Sequence, residues 1–208
     1  MKIICVGLNY QSHNKEMKRA LSSKDDDPVL FMKPDTALLP NNKHQFYIPD
    51  FSSEIHYEAE IVVRIDKMGK NIAERFAHRY YNEITIGIDF TARDIQAGLK
   101  ERSQPWEISK SFDNSAVTGT FVPKEKYNKD IQDLNFSLIK GDKIVQSGNT
   151  SEMLHPIDKI IAYASRFFTL KTGDLIFTGT PAGVGKVEIG DQLTGIVEGD
   201  ELLRLDIC

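Results

Sequence analysis

The stretch Ile55-His56-Tyr57-Glu58-Ala59-Glu60-Ile61-Val62-Val63-Arg64-Ile65 decides how this chain is read. It reads as one β-strand. Successive side chains leave a strand on opposite faces, so Glu58 and Glu60 share one face. Tyr57, Ala59, Ile61, Val63 and Ile65 form the other, which is wholly apolar. Two like charges side by side repel unless something positive lies between them. A divalent cation is the simplest such partner, because hard cations favour carboxylate oxygens. Taken alone, the pair favours a plainer reading, an exposed strand face with solvated charges.

Working outward, residues 12–21 read as a short helix closed by the charged loop Lys24-Asp25-Asp26-Asp27-Pro28. Val29-Leu30-Phe31-Met32 is a strand-like run ended by Lys33-Pro34. Beyond the glutamates, residues 71–81 read as a helix and 83–90 as a strand, in which Ile84, Ile86 and Ile88 alternate. Thr91-Ala92-Arg93-Asp94 matches a capping box and predicts a helix start. Asp89 therefore falls at a strand end just before a helix, a junction that often holds functional groups. Residues 135–139 and 143–146 flank Lys140-Gly141-Asp142 as a hairpin. Pro156 suits a first helical turn, and Ile157, Ile160, Ile161, Ala164, Phe167 and Phe168 follow helical spacing as a core stripe. Residues 174–178 and the tail from Asp191 read as strands, giving an α+β, mainly β domain spanning residues 1–208.

At 208 residues, 40 % hydrophobic and 27 % charged, the composition is that of a soluble globular domain. A net charge of −4 argues against a general nucleic-acid binder. Cys5 and Cys208 stand at opposite ends with no CxxC pair, which points to free thiols and a cytoplasmic setting. No signal peptide and no run of membrane-spanning length is visible.

Four further groupings could carry chemistry. His13 and Glu16 are three apart, as a carboxylate-oriented base on one helix face or as a surface ion pair. Arg93 and Gln96 have the same spacing and either offer donors to an anion or lie on an exposed helix face. Lys33 and Lys110 each follow a run containing apolar or small residues. Gly179-Thr180-Pro181-Ala182-Gly183-Val184-Gly185 is either a loop whose N–H groups converge on an anion or a plain tight turn; it fits neither the Walker A nor the GxGxxG pattern.

In this order and spacing the pieces resemble the fumarylacetoacetate hydrolase family, most closely its short acylpyruvase and oxaloacetate decarboxylase branch. The likeness is carried by Val6-Gly7-Leu8-Asn9-Tyr10 with His13 and Glu16, residues 28–34, His56 to Glu60, Asp89 to Gln96, Pro105-Trp106 with residues 109–113, Gly148 to Ser151, and the loop 179–185. The resemblance implies a β-rich fold peculiar to the family, without the additional N-terminal domain of its longer members, a homodimer, and Mg²⁺ or Mn²⁺ in the site. By analogy Glu58, Glu60 and Asp89 are the metal ligands, and His13 and Glu16 are a water-activating dyad on a lid helix. Lys110 is catalytic, and Lys33, Arg93, Gln96 and Thr180 line the substrate site. Gln11-Ser12 stands where relatives often carry Ala-Asp, and residues 114–118 do not match closely.

The implied activity is metal-dependent cleavage of an acylpyruvate C–C bond, decarboxylation of oxaloacetate, or both, through a pyruvate enolate. The implied partner is a small 2-oxo acid, with no nucleic acid and no membrane. Two alternatives stay open: an isomerase or tautomerase of keto–enol acids, and a non-catalytic protein that binds a metal and a keto acid.

Overall fold

The computed structural model describes residues 1–16, 23–40 and 42–208. Of these residues, 37 % lie in strands and 20 % in helices, so the fold is mainly β with a few short helices. The largest sheet has the order Val29–Lys33, Ile3–Gly7, Leu175–Phe177, Ala59–Ile65, Tyr81–Asp89, Ala116–Thr118, with Val122–Pro123 also on Tyr81–Asp89. A five-stranded sheet runs Lys143–Asn149, Asn135–Lys140, Gln192–Val197, Asp200–Ile207, Gln45–Phe46. A small third sheet joins Gly185–Lys186, Ile55–Tyr57 and Thr91–Ala92.

The single strand expected over 55–65 is split at Glu58. Residues Ile55–Tyr57 pair in the small sheet and Ala59–Ile65 in the large one. Glu58 is the step between the two sheets. The apolar face behaves as its pattern dictates: Tyr57, Ala59, Ile61, Val63 and Ile65 all enter the main core. Val62, on the opposite face, packs in a second cluster with Ile3, Cys5, Leu175 and Phe177. Such burial is worth about 25 cal/mol per Å² of apolar surface, which holds this central strand in place.

Several elements follow their sequence signals. The strand at Val29–Lys33 forms, and the hairpin closes on Gly141, whose φ of 59° suits a tight turn. The helix Ile157–Phe167 buries Ile157, Ile160, Ile161 and Ala164. Phe167, expected in that stripe, is 54 % exposed, and Pro156 is the extended N-cap residue, just before the first turn.

Other expectations fail locally. The helix placed over 71–81 is confined to Glu74–Ala77, and Tyr81 already begins the next strand, with its ring buried and its hydroxyl donating to Asp158 at 3.1 Å. Pairing of Tyr81 with Ile65 overrides the local helical pattern. The capping box is also absent. Ala92 caps the helix Arg93–Glu101 without a side-chain bond, and Asp94 instead accepts from Ser52 Oγ, Ser53 N and Oγ, and its neighbour's Ile95 N. The helix expected over 12–21 is seen as Gln11–Glu16; residues 17–21 lie outside the described residues. No helix among the described residues is long and apolar enough to cross a membrane.

Candidate metal centre and active-site pocket

Sheet register brings three carboxylates together. Ala59 pairs with Ile88, and one step further Asp89 N–H donates to Glu58 O at 2.8 Å. Glu58 at the sheet junction, Glu60 on the central strand and Asp89 at its neighbour's end thus offer oxygens all within 4.8 Å of one another. Glu58 is 5 % exposed, Glu60 2 % and Asp89 0 %. The solvated acidic face favoured by the pair alone is therefore incorrect. The polar face is covered by elements that the strand's own pattern does not encode.

Burial of three carboxylates demands positive charge. Lys110, the last residue of the short helix Glu107–Lys110, bridges Glu58 Oε2 at 2.8 Å and Asp89 Oδ2 at 2.7 Å. Arg93, first in its helix, reaches Glu58 Oε1. Lys33, at the end of Val29–Lys33, lies 2.8 Å from Asp89 Oδ1 and donates to Ser115 Oγ and to the carbonyl of Lys110. Burial opposes ionisation of Glu58, but the Lys110 and Arg93 cations outweigh it and hold the carboxyl well below its usual range. Burial likewise disfavours the Lys110 ammonium, yet Asp89 and Glu58 keep its pKa raised.

Glu60 differs. Burial, then the charges of Asp89 and Glu58, push its carboxyl well up, and a single backbone donor, Gly179 N–H at 2.7 Å, is too little to offset them. Asp89 Oδ1 takes no well-directed hydrogen bond despite the nearby Lys33 ammonium. Hard oxygens closely grouped, one carboxyl under-compensated and one oxygen unsatisfied make a donor set that fits Mg²⁺ or Mn²⁺.

The trio floors a pocket whose walls include His13, Gln96, Lys110, Thr180, Leu8, Phe31 and Trp106. His13 is 3 % exposed, with Nδ1 3.4 Å from Glu16 Oε2. The alternative of a plain surface pair does not hold for the imidazole, which faces the pocket. Gln96 is also buried, and its Oε1 accepts from Arg93 Nη1 at 2.8 Å, so the helix face carrying Arg93 and Gln96 is turned inward. Arg93 and Lys33 sit behind the carboxylates, with their cations directed at Glu58 and Asp89.

The glycine-rich loop does present N–H groups to anions, and these anions are the protein's own. Gly179 N–H meets Glu60, and Gly183 N–H donates to both Glu16 oxygens at 3.1 Å. At Gly179 φ is 97° and a Cβ would stand 2.7 Å from Asn9 Cβ; at Gly183 φ is 99° and a Cβ would meet Val145 O at 2.3 Å. Both positions require glycine.

Three residues with structural control of the site had no assigned role at the sequence level. Gln146, 2 % exposed, accepts from Ala59 N–H between the two glutamates and donates to Thr180 Oγ1 and Pro181 O. It ties the loop to the central strand, and nothing in its hairpin sequence signals this. Asn9 donates to His155 O and Thr178 O and accepts from His155 N–H, joining the first loop to the last strand of the site. Trp106 meets Phe31 edge-on at 6.1 Å on the pocket wall; its place in Pro105-Trp106 was the one available signal.

Several known proteins are similar to this chain over nearly its whole length. Oxaloacetate tautomerase YcgM of Escherichia coli is 39 % identical over 201 residues, 97 % of this chain and 90 % of that protein. The mitochondrial oxaloacetate decarboxylase of Dictyostelium discoideum is 37 % identical over 207 residues, 99 % of this chain and 93 % of that protein. Among solved structures, fumarylpyruvate hydrolase from Pseudomonas aeruginosa, in complex with Mn²⁺ and pyruvate, superposes with a TM-score of 0.91 at 33 % identity, covering 100 % of this chain and 89 % of that one. The family described as fumarylacetoacetate (FAA) hydrolase C-terminal matches residues 2–206, and this chain belongs to it.

Proposed function

We propose that this chain is a divalent-metal-dependent enzyme of 2-oxo acids that carry a second carbonyl two carbons away. Proton transfer at the carbon between the carbonyls, the keto–enol tautomerisation of an oxaloacetate-like acid, is the reaction its residues support best. The observation that carries this is the His13–Glu16 pair, its imidazole buried at the pocket wall and its more exposed carboxylate anchored by Gly183, beside a carboxylate trio that fits a hard cation. Glu58, Glu60 and Asp89 would hold the cation. Its chemistry there is that of a Lewis acid, stabilising negative charge on an enolising carbonyl.

The chain's own residues do the rest. Glu16, fixed by Gly183, orients the His13 imidazole, which moves a proton to or from substrate carbon or water. Lys110 presents its ammonium where the substrate's anionic end enters. Thr180, held by Gln146, and Gln96 position the acid. Phe31, Leu8 and Trp106 exclude water from one side. Hydrolysis of an acylpyruvate is the second reading: the same base activates water, which attacks the distal carbonyl, and the leaving fragment is a pyruvate enolate. Retention of a positioned base argues against a purely binding role. Assembly as a homodimer and a cytoplasmic setting complete the proposal; light scattering of the purified chain tests the former.

The deciding experiment follows the ultraviolet absorbance of the enol and, in parallel, release of pyruvate, with oxaloacetate and with acylpyruvates, in Mg²⁺, Mn²⁺ and chelator. Metal-dependent enol–keto conversion without matching pyruvate release supports tautomerisation. Pyruvate release at the rate of enol loss supports cleavage, and inertness toward every 2-oxo acid tested refutes both.

A further inference from the structure

Gln146 does not line the pocket, yet both ends of its side chain are bonded to elements that do. It lies in the strand Lys143–Asn149 and is 2 % exposed. Its Oε1 accepts from Ala59 N–H at 2.8 Å, and its Nε2 donates to Thr180 Oγ1 at 2.9 Å and to Pro181 O at 3.0 Å. These partners fix which end of the amide points where. A backbone N–H can only donate, so the end at Ala59 is the carbonyl oxygen. A peptide carbonyl can only accept, so the end at Pro181 is the NH₂. Turning the amide over would set two donors against each other at Ala59 and two acceptors at Pro181.

The consequence falls on Thr180. A hydroxyl has one hydrogen to give and two lone pairs to receive with. Toward Gln146 the Thr180 hydroxyl is the acceptor, and its own hydrogen has no acceptor among the described residues. Thr180 is 4 % exposed and stands on the pocket wall with Glu60 and Lys110. That hydrogen is therefore left for a ligand. A hydroxyl that already accepts a hydrogen bond is also a stronger donor, because the two bonds polarise each other. Without the Gln146 amide the hydroxyl rotor is free, and nothing commits its hydrogen to the pocket. The other end of the same amide is bonded between Glu58 and Glu60, so the Thr180 donor is held in register with the carboxylate trio.

We propose that Gln146 is a positioning residue for the reaction. It acts through Thr180, whose hydroxyl it commits to donating, so that this wall of the pocket receives an unprotonated oxygen of the ligand. This rests on the reading of the pocket as a 2-oxo acid site and adds the residue that sets the polarity of one wall.

The probe is pyruvate, titrated into the Mg²⁺-loaded chain. Binding is followed by the fluorescence of Trp106, the chain's one tryptophan and a wall of the same pocket. Wild type is compared with Gln146→Met, Thr180→Val and the double variant. Each single change is expected to weaken binding about tenfold, the effect of one hydrogen bond to a charged ligand. The double variant should lose no more than either single one, because both remove the same donor. Thr180→Ser keeps the hydroxyl and should keep the affinity. The rise in Tm with Mg²⁺ alone should persist in Gln146→Met, whose three carboxylates are untouched. A merely structural role gives another pattern: the two losses multiply, or the response to Mg²⁺ disappears with Gln146. Either result overturns the proposal, as does undiminished binding by Gln146→Met. Should that variant not fold, Gln146→Asn takes its place in the same cycle, since a side chain one methylene shorter cannot bond Ala59 and Thr180 together. Failure of wild type to bind pyruvate overturns the 2-oxo acid reading, and this inference with it. Binding by wild type with independent losses overturns the role of Gln146 alone.

Discussion

At Lys110 one ammonium lies within 2.8 Å of two different carboxylates, and beneath it the fully buried Lys33 meets the second oxygen of Asp89. Removing one member of such a cluster leaves charge buried without a partner, which costs roughly 3–5 kcal/mol. Lys33→Met is therefore expected to lower unfolding free energy by about that amount in urea titrations, well beyond the effect of a surface lysine. Glu16 acts differently, through His13. Glu16→Gln keeps the shape and the Gly183 contact but removes the charge that orients the imidazole. It should slow hydrolysis of an acylpyruvate on the order of 10²–10⁴-fold and oxaloacetate decarboxylation much less, since only hydrolysis needs an activated water. Equal losses in pyruvate-release assays of the two substrates would remove His13 from water activation.

The elements matter because their ends carry the site. Asp94 ties the start of the helix Arg93–Glu101 to the Ser52-Ser53 turn. Burial alone would raise its carboxyl, but bonds from Ser52, Ser53 and Ile95 dominate and bring it down to about 2. A carboxyl lowered in the folded state stabilises fully above its unfolded pKa of about 4 and loses that contribution as pH falls toward 2. Asp94→Asn is thus expected to cost about 1 kcal/mol at pH 7, by analogy with the loss of a helix cap, and the gap from wild type should shrink between pH 4 and pH 2 in thermal melts. The loop 179–185 makes a second case. Gly183→Ala places a Cβ against Val145 O at a residue with φ of 99°. The loop must shift, Glu16 loses its two N–H contacts, and turnover should fall more than tenfold while metal-induced stabilisation persists.

For the molecule as a whole, a cation that binds only the folded trio must stabilise the fold. At a free Mn²⁺ concentration of 100 Kd the expected gain is about 2.7 kcal/mol, read as a rise in Tm, and Glu60→Gln or Asp89→Asn should abolish it. A Tm that does not respond to Mg²⁺ or Mn²⁺ would sink the metal centre. The same scale separates what was legible in the linear chain from what was not. Alternation made the apolar face of 55–65 readable, and the hairpin at Gly141 and the stripe of Ile157–Phe167 followed from local pattern, because a period of two or 3.6 is a property of neighbouring residues. Segment 71–81 misled, since its local helical preference yields to the pairing of Tyr81 with Ile65, and Gln146 carried no local mark at all. Whether Glu58 and Glu60 face water or a buried cluster was not decidable from their own strand. Lys33, Asp89, Arg93, Lys110 and Gly179, scattered along the chain, determine it. The sequence by itself determined which faces would be apolar and which residue types were at hand. Only the tertiary structure decided that the acidic face is enclosed, because enclosure depends on the register between distant strands and on cations delivered by elements far away in the chain.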